Sequence, residues 1–292
     1  MTTGDWRTDR ENLTTRMYAT DEHLAVRYRI HEQYSRPVVD FQRWVLDTVQ
    51  WSGDEWVLDV GSGPGAYFAG VAERTPHGRH VAGDLSFGMV RQACQSDAAP
   101  DFTVLNFDAQ RLPFPDGTFH VVLANHMLYH VAALPGALAE IRRVLRPDGV
   151  LIAGTNSRDN MPELDTLARR ACALLGCPLP PSNADSRFSL ESGPGLLAHY
   201  FRAVARYDLP GAFHFPEVDP VLDYVNSMRA AHEPQLPEDV SWAEFLGVME
   251  KQVARLIRHF GELKVHKLAG VIIATNGGGF AREYLARLDT SH

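Results

Sequence analysis

Three features of the sequence predict an α/β fold built on a doubly wound, mostly parallel sheet. Apolar, β-branched runs alternate with helical patterns over residues 56–155. The first run leads directly into a glycine-rich turn and a second helical pattern, WVLDVGSGPGAYF over residues 56–68. Short polar or glycine residues then recur where the runs end, at Gly61 to Gly65, Asp84, Asp108, Asn125 and Asn156. In a parallel sheet those ends share one edge, which is where ligands of such folds sit.

Each element has its own justification. Residues 1–16 are polar and of mixed charge, and read as a loosely docked start. Over residues 18–34, Leu24, Tyr28 and His31 fall on one helical stripe with Arg27 and Tyr34 close by, and Asp21 is the expected N-cap. Pro37 interrupts, and a second helix is expected over 38–49, with Phe41, Trp44, Val45 and Val49 as its apolar face. Trp56, Val57, Leu58 and Val60 form the first strand, buried on both faces. Gly61, Gly63 and Gly65 follow because a Cβ would forbid the turn or block a ligand. A helix is expected from residue 66 to about 74.

The second strand, 79–84, ends in Asp84, about 20 residues beyond the glycine loop, where a βαβ unit meets ribose hydroxyls. Asp84 could instead cap the next helix, 87–96, although Ser86 is an equally good cap. Strands are expected at 102–107, 119–124 and 150–155. Between the last two, Leu134, Leu138, Ile141 and Leu145 mark a helix that Arg146-Pro147-Asp148-Gly149 should stop.

Composition narrows the class. An apolar fraction of 45% fills an ordinary core, and no run approaches the roughly 20 apolar residues of a membrane span. The N-terminus is not a secretory signal, so a cytoplasmic location is expected. Cys94, Cys172 and Cys177 are scattered and suggest neither a disulfide framework nor a zinc site. His126 and His130 lie one turn apart without an adjacent acid of zinc type, so no metal is expected. The net charge of −8 argues against a nucleic-acid substrate.

The loop alone is ambiguous. Gly61, Gly63 and Ala66 satisfy the dinucleotide pattern G-x-G-x-x-[GA], and Gly61, Gly63 and Gly65 satisfy the G-x-G-x-G loop of S-adenosylmethionine (SAM) methyltransferases. The later motifs decide. VLDVGSGPG, GDLS with Met89, DAQRLPFPDGTFHVV and LRPDGVL together resemble the class I SAM-dependent methyltransferases of the small-molecule type, methyltransferase type 11-like. More weakly, Tyr28, His31, Tyr34 and Ser35 look like the R-x-x-x-H-x-x-Y-S helix that caps the SAM site in one bacterial branch.

The resemblance implies a Rossmann-like, seven-stranded sheet with an antiparallel last strand, a helical cap and helical lid insertions. It implies one domain over 1–292: a cap at 1–52, a SAM-binding core at 53–156, insertions at 157–187 and 214–262 walling the substrate, and the last strand at 263–276. Gly61, Gly63 and Gly65 would lie under the methionine moiety, with Asp59 structural or linked to its amino group. Asp84 would take the ribose diol, Asp108 and Ala109 would read adenine, and Leu85 and Met89 would pack on it. Asn125 and His126 would contact the methionine part. Gly83 departs from the family, which often has a bulkier residue there.

SAM would carry the reactive group, so the protein's part is positioning, with a base needed only where the acceptor must lose a proton. Candidate bases are His31, His126, His130 and His214, with Tyr34 and Tyr129 as orienting groups; each could equally be packing. Phe188, Phe213, Phe215, Tyr224, Met228, Trp242, Phe245 and Met249 would line the acceptor pocket or simply form the core of the lid. The expected activity is methyl transfer from SAM to oxygen or nitrogen of a small molecule, with natural-product biosynthesis as the expected setting. A tRNA or protein methyltransferase and a non-catalytic SAM-binding protein are the alternatives. The segment 18–35 is expected to close over the reaction centre as a lid.

Overall fold

A computed structural model describes residues 8–20, 22–177 and 187–277. Eight strands form one mixed sheet in the order β1-β7-β8-β6-β5-β2-β3-β4. In chain order the elements are α1 (Arg10–Asn12), α2 (Glu22–Tyr34), β1 (Ser35–Arg36), α3 (Phe41–Leu46), β2 (Trp56–Val60), α4 (Phe68–Arg74), β3 (Arg79–Asp84), α5 (Phe87–Ala93), β4 (Phe102–Asn106), β5 (Phe119–Leu123), α6 (Leu134–Val144), β6 (Leu145–Asn156), α7 (Pro162–Leu174), α8 (Gly193–Leu197), β7 (Ala203–Phe215), α9 (Asp219–Asn226), α10 (Arg229–His232), α11 (Trp242–Phe260) and β8 (Leu263–Thr275).

The central strands are parallel, and β8 runs antiparallel to both β6 and β7. This is the predicted α/β sheet with its antiparallel last strand. The two-residue β1 adds an eighth strand by pairing with β7. The alternation along each strand splits the core between the two faces. Leu58, Val122, Leu151 and Ile272 pack on one side with α6, while Val57, Val121, Ile152 and Ile273 pack on the other with α3 and α4. That two-sided burial is why these strands are near-continuous apolar runs.

Several boundaries differ from the sequence expectation. Arg146 to Gly149 follows the end of α6 as expected, but lies inside β6 as a bulge: Phe119 pairs with Leu145 and Val121 with Val150, and the four residues between have no register partner in β5. Arg10–Met17 is helical, α1 followed by a π-helical turn, where a loose start was expected; Asp9 caps it by accepting from the Glu11 and Asn12 N–H groups. The cap helix begins at Glu22, and Asp21 lies outside the described residues. Gly83 also acquires a reason. A Cβ there would meet the Phe107 ring at 2.2 Å and the Leu105 carbonyl at 2.7 Å, so the Phe107 ring occupies the space a larger residue would take.

Strands β7 and β8 are longer than the sheet they join. β6 pairs with β8 only over residues 269–275, so among the described residues β7 is the one strand paired with 263–268, whose other edge is bonded by Ser157, Asn160, Met161 and Glu163 through Leu268 and His266. This hairpin arm, carrying Phe213, Phe215, Leu263 and Val265, is the floor of a third core on which α7, α9 and α11 sit. α11 packs there through Trp242, Phe245, Met249 and Val253, one helical stripe. Its ends are sharply defined. Ser241 and Glu244 form a reciprocal capping box, and Gly261 closes the helix in the left-handed region at φ 84°.

Two substitutions test this packing. Gly83→Ala overpacks against Phe107 and should cost about 1–3 kcal/mol, which lowers the melting temperature by several degrees. Gly247→Ala, on α11 with nothing within 4 Å of its Cβ, should stabilise by about 0.5–1 kcal/mol. Thermal melts of the two variants should therefore move in opposite directions.

Candidate functional site

The glycine loop takes its shape from the end of β3. The Gly61 and Ser62 N–H groups both donate to the Gly83 carbonyl, at 2.8 and 3.1 Å. The Gly63 N–H donates to Asp84 Oδ2 at 3.0 Å, and the Ser86 N–H to Asp84 Oδ1 at 2.8 Å. Gly61, Gly63 and Gly65 all have positive φ. A Cβ on Gly61 would strike Met127 at 2.7 Å and one on Gly65 would strike Phe68 at 2.8 Å, whereas one on Gly63 would meet nothing within 4 Å. The turn thus needs all three glycines for conformation, and at Gly63 it leaves an open cradle.

Around that loop lie four buried side-chain atoms without a hydrogen-bond partner: Asp59 Oδ2, Ser62 Oγ, Tyr67 OH and Asn125 Nδ2. Their residues are 2% to 8% exposed. Asn125 is already fixed by its other end, because its Oδ1 accepts from the Gly154 N–H at 2.7 Å. Burial and the nearby Asp84 push the Asp59 carboxyl up to about 8. Burial also raises Asp84, against the hydrogen bonds it accepts from Ser86 and Gly63. An acceptor-rich carboxyl beside two hydroxyls and an amide donor is a set that an ammonium and a carboxylate on one carbon would satisfy, which is the amino-acid end of SAM.

The other predicted cofactor residues lie at the same sheet edge. Asp108 Oδ1 accepts from the Gln110 backbone and side chain, while Oδ2 pairs with Arg10 at 3.0 Å. Ala109 and Met89 are buried and Leu85 is half-buried. His126 adopts φ 54°, donates its N–H to the Gly154 carbonyl, and stacks obliquely on Phe41. Burial and the Arg27 charge hold its pKa down at about 4, so the imidazole is neutral.

Next to this edge is a cavity of about 300 Å³. It is lined by Tyr18, Arg27, Tyr129, His130 and Asn156 together with residues of α7, α9 and α11. Of the eight pocket residues expected from sequence, Tyr224, Met228, Trp242, Phe245 and Met249 line it. Phe188, Phe213 and Phe215 do not; they are fully buried in the cores on either side.

The candidate bases separate in the same way. His130 lines the cavity, with its Nε2 2.9 Å from the Tyr18 hydroxyl. His31 instead packs edge-on against Phe213, with Lys267 Nζ 3.2 Å from its Nδ1. It keeps one edge in water, yet the protein around its ring and the Lys267 charge push its pKa down to about 3. Tyr34 lies on Phe215 in the core beneath α11. His214 pairs with Glu262 at the surface. His31 and Tyr34, expected to point at one centre, are thus drawn off the cavity by the aromatic side chains of β7.

Sequence reasoning missed Tyr18 as a site residue. Its carbonyl accepts from Ser86 Oγ at 2.6 Å, beside Asp84, and its hydroxyl meets His130, so it links the loop edge to the cavity. It also missed Arg10, Ser62 and Tyr67. Ser62 and Tyr67 flank glycines in the loop motif, a usable signal; Arg10 and Asp108 are 98 residues apart and carry none.

The comparisons with known proteins agree with this geometry. Residues 58–153 match the methyltransferase domain family. An uncharacterized 37.1 kDa protein of a Streptomyces fradiae transposon is 32% identical over 197 residues, covering 65% of this chain and 52% of that protein. A malonyl-[acyl-carrier protein] O-methyltransferase of Geobacter sulfurreducens is 31% identical over 179 residues, 60% of this chain and 66% of that one. The chain therefore spans less than two thirds of the length of these relatives. Among solved structures, the YcgJ protein of Bacillus subtilis superposes with a TM-score of 0.51 at 19% identity, over 81% of this chain and 98% of that one. An N-methyltransferase of Haemonchus contortus, in complex with phosphomonomethylethanolamine and S-adenosylhomocysteine, reaches 0.53 at 16% identity, over 92% of this chain and 60% of that one. At these identities the structures speak for the fold. Domain match, sheet order and loop geometry together identify residues 58–153 as a methyltransferase domain of the class I, SAM-dependent type, with SAM as the cofactor of that domain.

Proposed function

We propose that the chain transfers a methyl group from SAM to an oxygen or nitrogen atom of a small molecule held in the cavity, as a step in tailoring a natural product. One observation carries this reading: the unpartnered buried polar atoms under the glycine loop and the enclosed cavity are joined through a single residue, Tyr18. The O-methyltransferase among the relatives supports an oxygen acceptor. The chain acts as one domain, with residues 157–177 and 214–262 walling the acceptor and the N-terminal segment closing over both ligands; the rest of the insertion expected at 157–187, residues 178–186, lies outside the described residues.

In this mechanism SAM supplies an electrophilic methyl group on a sulfonium, and the residues of the chain do the rest. Asp59, Ser62, Tyr67 and Asn125 hold the amino-acid end over Gly63. Asp84 takes the ribose hydroxyls with lone pairs its two backbone donors leave free. Asp108 and the Ala109 N–H read adenine, and Leu85 and Met89 flank it. His126, kept neutral, adds no cation beside the sulfonium. The walls of the cavity fix the acceptor in line, and such positioning is worth up to ~7–11 kcal/mol. His130 accepts the proton when the acceptor is a hydroxyl or a protonated amine, with Tyr18 orienting its ring.

Three outcomes follow. Asp84→Asn should weaken S-adenosylhomocysteine binding about 10–100-fold, because charge-assisted bonds of roughly 1.5–3 kcal/mol are lost. It should also lower the melting temperature, since the loop loses its carboxylate acceptor; calorimetry and a melt read the two effects separately. His130→Gln should reduce kcat by about 10²–10⁴-fold while S-adenosylhomocysteine affinity holds. Unchanged turnover would remove His130 from the mechanism.

The third concerns pH. Asp59 has a folded pKa near 8, above the ordinary carboxylate value, so the folded chain binds a proton there that the unfolded chain has released. Its contribution to stability therefore falls as pH rises from about 4 to about 8. An ammonium bound beside it needs the ionised form. S-adenosylhomocysteine affinity should thus rise by up to about tenfold per pH unit toward pH 8. Asp59→Asn should flatten that slope in calorimetric titrations.

A further inference from the structure

We infer that the cavity recognises its methyl acceptor by a carboxylate, and that Arg27 is the receptor for it. Arg27 lies on α2 and lines the cavity, half-buried, with Tyr18 and Tyr129 also in the lining. Its Nε donates to the His23 carbonyl at 3.2 Å and the Tyr18 hydroxyl lies against the guanidinium, leaving the rest of a five-donor fork for the cavity. Among the described residues no carboxylate forms an ion pair with it. The one acid on the cavity lining, Asp165, faces Arg169 at 4.0 Å. The other ionisable side chains there are histidines, tyrosines and a cysteine, so nothing offsets the guanidinium.

A cation drawn partly out of water beside apolar walls is costly unless a counter-charge meets it. The chain as a whole carries −8, so long-range attraction of an anion is not the purpose; the cation acts locally. Planar, bidentate binding of a carboxylate is what a guanidinium does best. Tyr129 and Tyr224 stand at the same cavity and burial raises both, so their hydroxyls stay protonated and can donate to an anion. The same cavity is lined by the apolar side chains of Leu164, Trp242, Phe245 and Met249. The complementary ligand is therefore amphipathic: an apolar chain or ring with a carboxylate at one end. The carboxylate serves as anchor, since pairing with a guanidinium weakens it as a nucleophile. The methyl group goes to another oxygen or nitrogen of the same molecule, beside His130.

This inference rests on the methyl-transfer reading only in calling the bound acid the acceptor, so the test measures binding. Octanoate and octanamide are the probes, titrated calorimetrically with and without S-adenosylhomocysteine. Wild-type protein should bind octanoate at least about 10-fold tighter than octanamide, as a charge-assisted contact implies. Arg27→Met should abolish the preference, Arg27→Lys should keep part of it, and S-adenosylhomocysteine affinity should hold within about twofold in both. Equal binding of acid and amide by the wild type overturns the inference, as does a preference that survives Arg27→Met. So does a loss of S-adenosylhomocysteine affinity in Arg27→Met with octanoate unaffected, which would give Arg27 to the cofactor's own carboxylate. A chain that binds octanoate but not S-adenosylhomocysteine would defeat the methyl-transfer reading and leave the carboxylate site standing.

Discussion

Everything at the ligand edge depends on one pair of residues at the end of a strand, Gly83 and Asp84. Their carbonyl and carboxylate accept from four consecutive-element backbone N–H groups, those of Gly61, Ser62, Gly63 and Ser86. The Asp84 carbonyl takes a further bond from the Asn106 side chain at 2.8 Å. A carboxylate that already organises a glycine turn and a helix start is held rigidly, and its remaining lone pairs point from a fixed position. Gly83 must stay small for the same reason, since Phe107 closes over it. The binding edge is thus preorganised by the sheet, and the cost of ordering it falls on folding rather than on binding.

The second constraint is the overhang of β7 and β8. Because β6 stops pairing at Asn156, the hairpin beyond it has two bare faces that must be covered. The insertions cover them, and their amphipathic helices meet around a cavity rather than filling it. The N-terminal segment then ties the two regions together. Arg10 reaches Asp108, Tyr18 reaches Ser86 and His130, and Arg27 enters the cavity. Cofactor edge and acceptor cavity therefore share one strap, and displacement of that strap alters both.

Much of the sheet was legible because its cause is local. Period-free apolar runs, glycine turns and a polar residue or glycine at the end of each strand are written in contiguous residues, and these marked β2 to β6 and their ends. The loop glycines, Asp59, Asp84 and Asn125 all emerge from the same kind of signal. What escaped depends on distant partners. Arg146 to Gly149 has turn chemistry, yet it lies inside β6 as a bulge, because β5 pairs on both sides of it, at Leu145 and at Val150. His31 and Tyr34 have the composition of a catalytic face, yet Phe213 and Phe215, about 180 residues away, hold the two rings against β7 and off the cavity lining. Tyr18 is an ordinary tyrosine in the sequence, and only its contacts with Ser86 and His130 give it a role.

The central claim is that the unpartnered atoms around Gly63 receive an amino acid and the cavity beside them receives a different molecule. A crystal structure of the chain with S-adenosylhomocysteine tests it most directly. The account predicts the ammonium within hydrogen-bond distance of Asp59, the ribose on Asp84, and the cavity between Arg27 and Trp242 still open. Density for the homocysteine part inside that cavity, with Asp59, Ser62, Tyr67 and Asn125 left without partners, would contradict it.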